Sequence, residues 1–122
     1  MLIVGNKNIP YQEIQTIQYI EDIKNSDASK IVYFSYDIDI IKYCNKNNVR
    51  CAVYVSNLVD AIFCNALDVY FIIINKDIAK TIQNTADNYM FDSKILQIIQ
   101  NDNDIEDVAT NQIDGCIYKE IL

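Results

Sequence analysis

Hydrophobic residues in this chain form short continuous runs, and polar segments separate the runs. The runs are rich in Ile, Val, Tyr and Phe, and they are too continuous to be strands with one exposed face. We therefore predict parallel strands buried on both faces. Val69–Ile74 is the most apolar run and is predicted to lie at the sheet centre. The predicted strands cover residues 2–4, 30–36, 51–55, 69–74, 94–99 and 116–118.

The segments between the runs have helical periodicity. Ile14, Ile17, Ile20 and Ile23 recur every three residues after Pro10, which predicts an amphipathic helix with one apolar stripe. Further helices are predicted after Asp37, after Ser56 or Asn57, over 77–90 and over 105–108. Alternating strands and helices predict a parallel sheet with right-handed crossovers.

These elements predict one α/β domain covering residues 1–122. The expected architecture is a three-layer, open, mostly parallel sheet of five to six strands. So few strands do not close the usual eight-stranded barrel. The flavodoxin-like strand order 2-1-3-4-5, with a sixth strand at one edge, is the first choice, and a Rossmann-like order is the second.

Charge narrows the range of partners. The chain has a net charge of −7, no histidine and dispersed lysines, so it lacks the clustered cations that bind nucleic acid or an anionic membrane surface. Its N-terminus has no basic segment of the kind that begins a signal peptide, and no apolar run approaches the roughly eighteen residues of a membrane span. The expected location is the cytoplasm.

Four cysteines raise the alternatives of disulfides, a metal site or buried thiols. Cys44, Cys51, Cys64 and Cys116 form no CxxC pair, and no histidine is present to complete a zinc set. Cys51, Cys64 and Cys116 lie within apolar stretches, where a thiol behaves as a small hydrophobic group. We predict reduced cysteines in the core.

Polar residues follow most of the predicted strands. Ligands of open parallel sheets bind outside the carboxyl ends of the strands, near the point where the strand order reverses. The same residue types also cap helices, and helix capping is the alternative explanation for them. The residues predicted to line this edge are Asn6, Ser35, Asp37, Ser56, Asn57, Asn75 and Asn101.

Four segments, YFSYDIDI, AVYVSN, NKDIAK and IIQNDNDIED, resemble the four motifs of haloacid dehalogenase-like phosphohydrolases. The resemblance extends over Tyr33–Asp107. It implies Asp37 as the nucleophile and Asp39 as the general acid and base. It also implies phosphate binding by Ser56 and by Lys76 or Lys80. Mg²⁺ would be held by Asp37 and Asp102 with Asp104 or Asp107.

Other catalytic patterns are absent. The chain has no GxGxxG or GxxxxGK[ST] motif, and without histidine no Ser-His or Cys-His pair exists. After Asp37 and Asp39, residues 40–43 continue a predicted helix where the phosphohydrolases have an insert.

We therefore predict a non-catalytic binding or regulatory module without a cofactor. Its partner is expected to be a small ligand or another protein. A Mg²⁺-dependent phosphohydrolase is the alternative. Nine tyrosines are more than a domain of this size is expected to bury. They favour an interface, and a homodimer through an edge strand or a helix face is a further expectation.

Overall fold

A computed structural model describes residues 1–122 and shows one sheet of seven parallel strands. The strands are β1 Leu2–Val4, β2 Ile14–Thr16, β3 Ile31–Ser35, β4 Cys51–Tyr54, β5 Phe71–Ile74, β6 Lys94–Ile99 and β7 Gly115–Tyr118. The α-helices are α1 Ile20–Lys24, α2 Ile38–Lys46, α3 Leu58–Ala66, α4 Lys76–Asn88 and α5 Ile105–Thr110. Short 3₁₀ turns cover Asp102–Asp104 and Lys119–Ile121.

The α/β class and the open parallel sheet are confirmed. All six predicted strands are present, and the seventh lies within a segment predicted as helix. β5 is the middle strand of the sheet, as its apolar sequence predicts, and all four of its residues are buried. Such burial on both faces of the sheet is typical of parallel strands.

The strand order differs from both predicted orders. It is β1-β7-β6-β5-β4-β3-β2, so each connection from β2 to β7 moves one strand in the same direction. A right-handed crossover places its helix on a face set by that direction, so all these helices lie on one face. Residues from all five α-helices accordingly share one core cluster with one face of the sheet. A flavodoxin-like order reverses direction and places helices on both faces.

The opposite face has no α-helix, yet its centre is buried. Ile31, Ala52, Ile73, Leu96 and Ile117 are 0% exposed there, within a cluster built from strand residues and the C-terminal residues Ile121 and Leu122. The C-terminal residues Ile121 and Leu122 pack against this cluster and cover part of the face. The sheet is open because β1 and β2 each have one partner strand.

The predicted helix over Ile14–Ile23 is wrong in its first half. Ile14–Thr16 form the edge strand β2, which pairs with Ile31–Tyr33, and only Ile20–Lys24 are helical. The residues Ile14, Thr16 and Ile17 are β-branched and fit a strand. Ile14 packs on the face without helices and Ile17 on the helical face, so the spacing of three residues is compatible with a strand as well as with a helix.

Four of the helices end in the same way. Asn48, Asp68, Met90 and Gln112 have positive φ angles, although none is glycine. In each case the next residue donates its backbone N–H to a carbonyl five residues earlier, as in a Schellman motif. That next residue is Val49, Val69, Phe91 or Ile113, and each packs on the core. No helix combines the length and apolar character that a bilayer crossing requires.

Candidate functional site

The candidate site is a cavity at the carboxyl end of β6. Its volume is about 510 Å³. The walls come from the first residues of α4, the end of β6 and the start of α5, with Lys119 after β7. Nine of its eleven lining residues are polar or charged, so it is suited to a polar occupant.

Gln97 lies in the wall of this cavity and is 2% exposed. Its Oε1 atom is fully buried and accepts no hydrogen bond. On β6 it pairs with Ile74 of β5 and Cys116 of β7, so its side chain points to the helical face near the start of α4. Burying such an oxygen without a donor costs roughly 1–3 kcal/mol. A bound molecule that donates a hydrogen bond would pair with this oxygen once the carboxamide turns it towards the cavity.

The first turn of α4 also faces the cavity. Asn75 occupies the N-cap position, but its side chain makes no capping hydrogen bond. Instead, Asn75 Nδ2 donates to the hydroxyl of Tyr54 at 2.6 Å. The first N–H groups of an α-helix have no partner within the helix, and they carry the positive end of its dipole. α4 is the longest helix, with 13 residues, and it presents these groups without a side-chain cap.

An ion pair joins α4 to α5 beside the cavity. Lys76 Nζ lies 2.7 Å from Asp107 Oδ2, and this contact raises the pKa of Lys76. Asp104 accepts hydrogen bonds from the backbone N–H groups of Gln100 and Asn101, which lower the pKa of its carboxyl group. The remaining charged lining residues are Asp77 and Lys119, and neither forms an ion pair.

The residues predicted to line this edge are only partly brought together. Asn75 and Asn101 line the cavity, as does Lys76 of the alternative. Asn57 caps α3, and Asn101 Oδ1 also caps the turn at Asp102–Asp104. Ser35 and Ser56 are exposed at the ends of β3 and β4. The strand order explains this dispersion, because it has no reversal within β2–β7 at which the residues could converge.

The residues of the phosphohydrolase alternative are separated. Asp37 Oδ1 accepts from the N–H groups of Asp39 and Ile40, which is the capping role that was the other explanation for it. Asp37 follows β3, whereas Asp102 and Asp104 follow β6, and two strands lie between them. Adjacent strands are about 4.8 Å apart, so these carboxylates cannot share one ion. No group of three potential metal ligands is present anywhere in the structure.

Asn6 and Asp102 have a different role at this edge. Tyr118 donates its hydroxyl hydrogen to Asp102 Oδ1 at 2.5 Å, and Asn6 Nδ2 donates to the Tyr118 hydroxyl at 3.0 Å. This network ties the end of β1 to the ends of β6 and β7. The hydrogen bond to Asp102 raises the pKa of Tyr118.

Replacing Tyr118 by phenylalanine should lower stability by about 1 kcal/mol, because the network loses its central hydroxyl. The raised pKa in the folded state means that the hydroxyl stabilises the fold below the ordinary tyrosine pKa of about 10. This contribution is lost as the pH rises through the folded pKa. Urea unfolding from pH 7 to pH 11 should therefore show the two proteins converging. A difference in the free energy of unfolding that stays the same from pH 7 to pH 11 would contradict this hydrogen-bond network.

Sequence reasoning missed Gln97 and Lys119. Gln97 is the only polar residue within the apolar run Ile95–Ile99, and this isolation was a usable signal. Only the tertiary structure shows that its oxygen is unpaired. No known family model and no curated protein matches the chain.

Proposed function

We propose that the protein is a non-catalytic binding module that holds a small polar molecule in the cavity at the end of β6. The observation that carries this proposal is Gln97, whose fully buried Oε1 has no partner and belongs to a residue that lines the cavity. Natural structures rarely keep such a group unless something else pairs with it. The location agrees with the general position of ligands at the carboxyl ends of parallel strands.

The chemistry of the cavity supports binding rather than catalysis. Two of its carboxylates are already engaged, Asp107 with Lys76 and Asp104 with two backbone N–H groups. The cavity contains neither a cysteine nor a histidine, and its pKa shifts follow from these ordinary contacts. A regulatory or sensing role fits a site that binds without a reacting group.

The experiment is native mass spectrometry of the intact protein purified without denaturation. We expect a population with added mass, and gentle dissociation should release a small polar molecule. The Gln97→Met variant should lack this population. Gln83→Met is the matched control, because Gln83 is also 2% exposed but lies outside the cavity. Equal occupancy in the wild type and in Gln97→Met would reject the proposed site.

Self-association through α3 is a second candidate function. The outward face of α3 consists of Val59, Ile62, Phe63 and Ala66, all exposed, and we call this set the α3 patch. Asp60 is the only charged residue of α3, and it is held by Asn57. Two copies that each carry a charge of −7 repel one another, so an uncharged helix face is where they can meet. A helix that is apolar all round is typically buried.

Replacing Phe63 by glutamate should abolish this self-association, because it places like charges at the centre of a symmetric interface. Phe63 is 51% exposed, so the monomer should keep its stability to within about 0.5 kcal/mol. Tyr19→Glu is the control, since Tyr19 is 64% exposed and lies outside the patch. Sedimentation equilibrium over a concentration series measures the effect. A monomeric wild-type protein at high concentration would reject the interface.

A cytoplasmic location is part of the proposal. All four cysteines are free and buried in the structure, as the sequence predicts. Reducing compartments keep cysteines in this state, which supports the assignment.

A further inference from the structure

We propose that the molecule held in the cavity is a small zwitterion of the α-amino acid type. The inference rests on the proposed function and adds the chemical class of the ligand. It combines three features of the cavity, which are the uncapped start of α4, the unpaired oxygen of Gln97 and the charges of Asp77 and Lys119, which lie outside any ion pair.

The anionic end of the ligand would lie at the first turn of α4. The N–H groups there have no side-chain cap, because Asn75 is directed to Tyr54 instead. A carboxylate can accept hydrogen bonds from them and gains from the helix dipole. Lys119 lines the same cavity and forms no ion pair, so its ammonium group is available to the same carboxylate.

The cationic end of the ligand would lie against Gln97 and Asp77. Gln97 Oε1 lacks a hydrogen-bond donor, and an ammonium group supplies donors only. Because Oε1 is fully buried, it meets the ammonium group only when the carboxamide turns about its terminal torsion, which exchanges the positions of Oε1 and Nε2. Asp77 also lines the cavity and is outside any ion pair, and it supplies the opposite charge.

The two subsites are close enough for one small molecule. Gln97 pairs with Ile74 across the β5–β6 ladder, and α4 begins two residues after Ile74, at Lys76. Paired strands are about 4.8 Å apart and two residues of chain add at most about 7 Å, so one small molecule with a hydrogen bond at each end can reach both subsites. The cavity of about 510 Å³ leaves room for a side chain.

The charge balance disfavours a strongly anionic ligand. Three carboxylates and two ammonium groups line the cavity. Because Lys76 is paired with Asp107, the carboxylates of Asp77 and Asp104 and the ammonium group of Lys119 remain outside ion pairs, and the lining has an excess of one negative charge. A doubly charged phosphate would add to this excess, whereas a zwitterion adds no net charge and has an end for each sign.

The test is a series of calorimetric titrations of the full chain, after any bound molecule has been removed by unfolding and refolding. The probes are the proteinogenic L-amino acids, the amine and the carboxylic acid that correspond to the best of them, inorganic phosphate and glycerol. We expect at least one amino acid to bind. Removal of either charged group should weaken its binding at least tenfold.

A matched pair of variants tests the placement of the cationic end. Asp77→Asn should weaken binding of the amino acid about tenfold without changing that of its deaminated acid. Asp39→Asn is the control, because Asp39 occupies the same position in the first turn of α2 and lies outside the cavity. It should bind as the wild type does.

The remaining outcomes separate the two levels of the proposal. If phosphate or glycerol binds and no amino acid does, the zwitterion is rejected while the binding module stands. The zwitterion is also rejected if the amine or the acid alone binds as tightly as the amino acid. If no probe binds and the purified protein carries no added mass, both proposals are rejected.

Discussion

Replacing Gln97 by methionine is expected to stabilise the protein while removing its ligand. The change deletes a fully buried oxygen that has no hydrogen-bond partner and puts an apolar group of similar size in its place. The desolvation cost of such an oxygen is roughly 1–3 kcal/mol. We expect the free energy of unfolding to rise by about 1–2 kcal/mol, which corresponds to a rise in Tm of roughly 4–8 °C.

The same substitution at Gln83 should have the opposite effect and lower the stability of the protein. Gln83 is equally buried at 2% exposure, but its Nε2 donates to Asp87 Oδ1 and its Oε1 accepts from the backbone N–H of Asp114, both at 2.9 Å. Gln83→Met leaves that N–H unpaired and should lower stability by about 1–3 kcal/mol. The same substitution at two equally buried glutamines would thus change the free energy of unfolding in opposite directions, because only Gln83 has hydrogen-bond partners.

Urea unfolding of the three ligand-free proteins measures both effects. If Gln97→Met destabilises the fold as much as Gln83→Met does, the Gln97 carboxamide has a partner in the folded state and the argument for the cavity fails. A stabilised variant without ligand would show that Gln97 is kept at the expense of stability. Such a trade-off is typical of residues retained for function.

Replacing Gly115 by alanine is expected to cause the largest loss of stability. Gly115 is the first residue of β7 and lies between Leu2 of β1 and Leu96 of β6. An added Cβ would be 2.4 Å from Leu2 O, 2.6 Å from Leu2 Cβ and 2.8 Å from Leu96 Cδ2. The closest of these atoms belongs to the backbone, so no rotamer change relieves the overlap. β1 must move away from β7.

We expect Gly115→Ala to lower the free energy of unfolding by about 3 kcal/mol, at the upper end for overpacking. Hydrogen exchange at the amides of β1 should also become faster, because its ladder with β7 opens. Gly5→Ala is the comparison, since its φ of +104° strains alanine but its nearest contacts are side-chain atoms at 3.1 Å. Its loss should be smaller, about 1–2 kcal/mol. A loss below about 1 kcal/mol in Gly115→Ala would contradict the close packing of β1.

Local patterns predicted the elements well where burial and capping agree. Lys94–Ile99 is a strand with the predicted bounds, because its apolar run is buried on both faces. Asp37 and Asn57 cap helices, as their positions after strands predict. The prediction for Ile14–Ile23 was wrong because isoleucines that recur every three residues fit both an amphipathic helix and a strand followed by a short helix. Pairing with β3 decided between them.

The arrangement of the residues at the carboxyl ends of the strands was predicted less completely. Asn75, Asn101 and Lys76 line one cavity there, and the other predicted residues lie outside it. The aspartates that resemble phosphohydrolase motifs do not meet, because sequence spacing does not define which strands are neighbours. Asp102 instead binds Tyr118, a contact between residues of β7 and the segment after β6 that no local pattern indicates.

The α/β class, the parallel direction of the strands, the central position of β5 and the caps at Asp37 and Asn57 could be predicted from the sequence alone. Each of these follows from short-range physics, namely burial of apolar runs, chain reversal through a helix and local hydrogen bonding. The strand order, the single helical face and the unpaired oxygen of Gln97 could not be predicted in this way and are known only from the folded chain. These depend on which distant segments become neighbours, and that choice is made by packing of the whole chain rather than by any one segment.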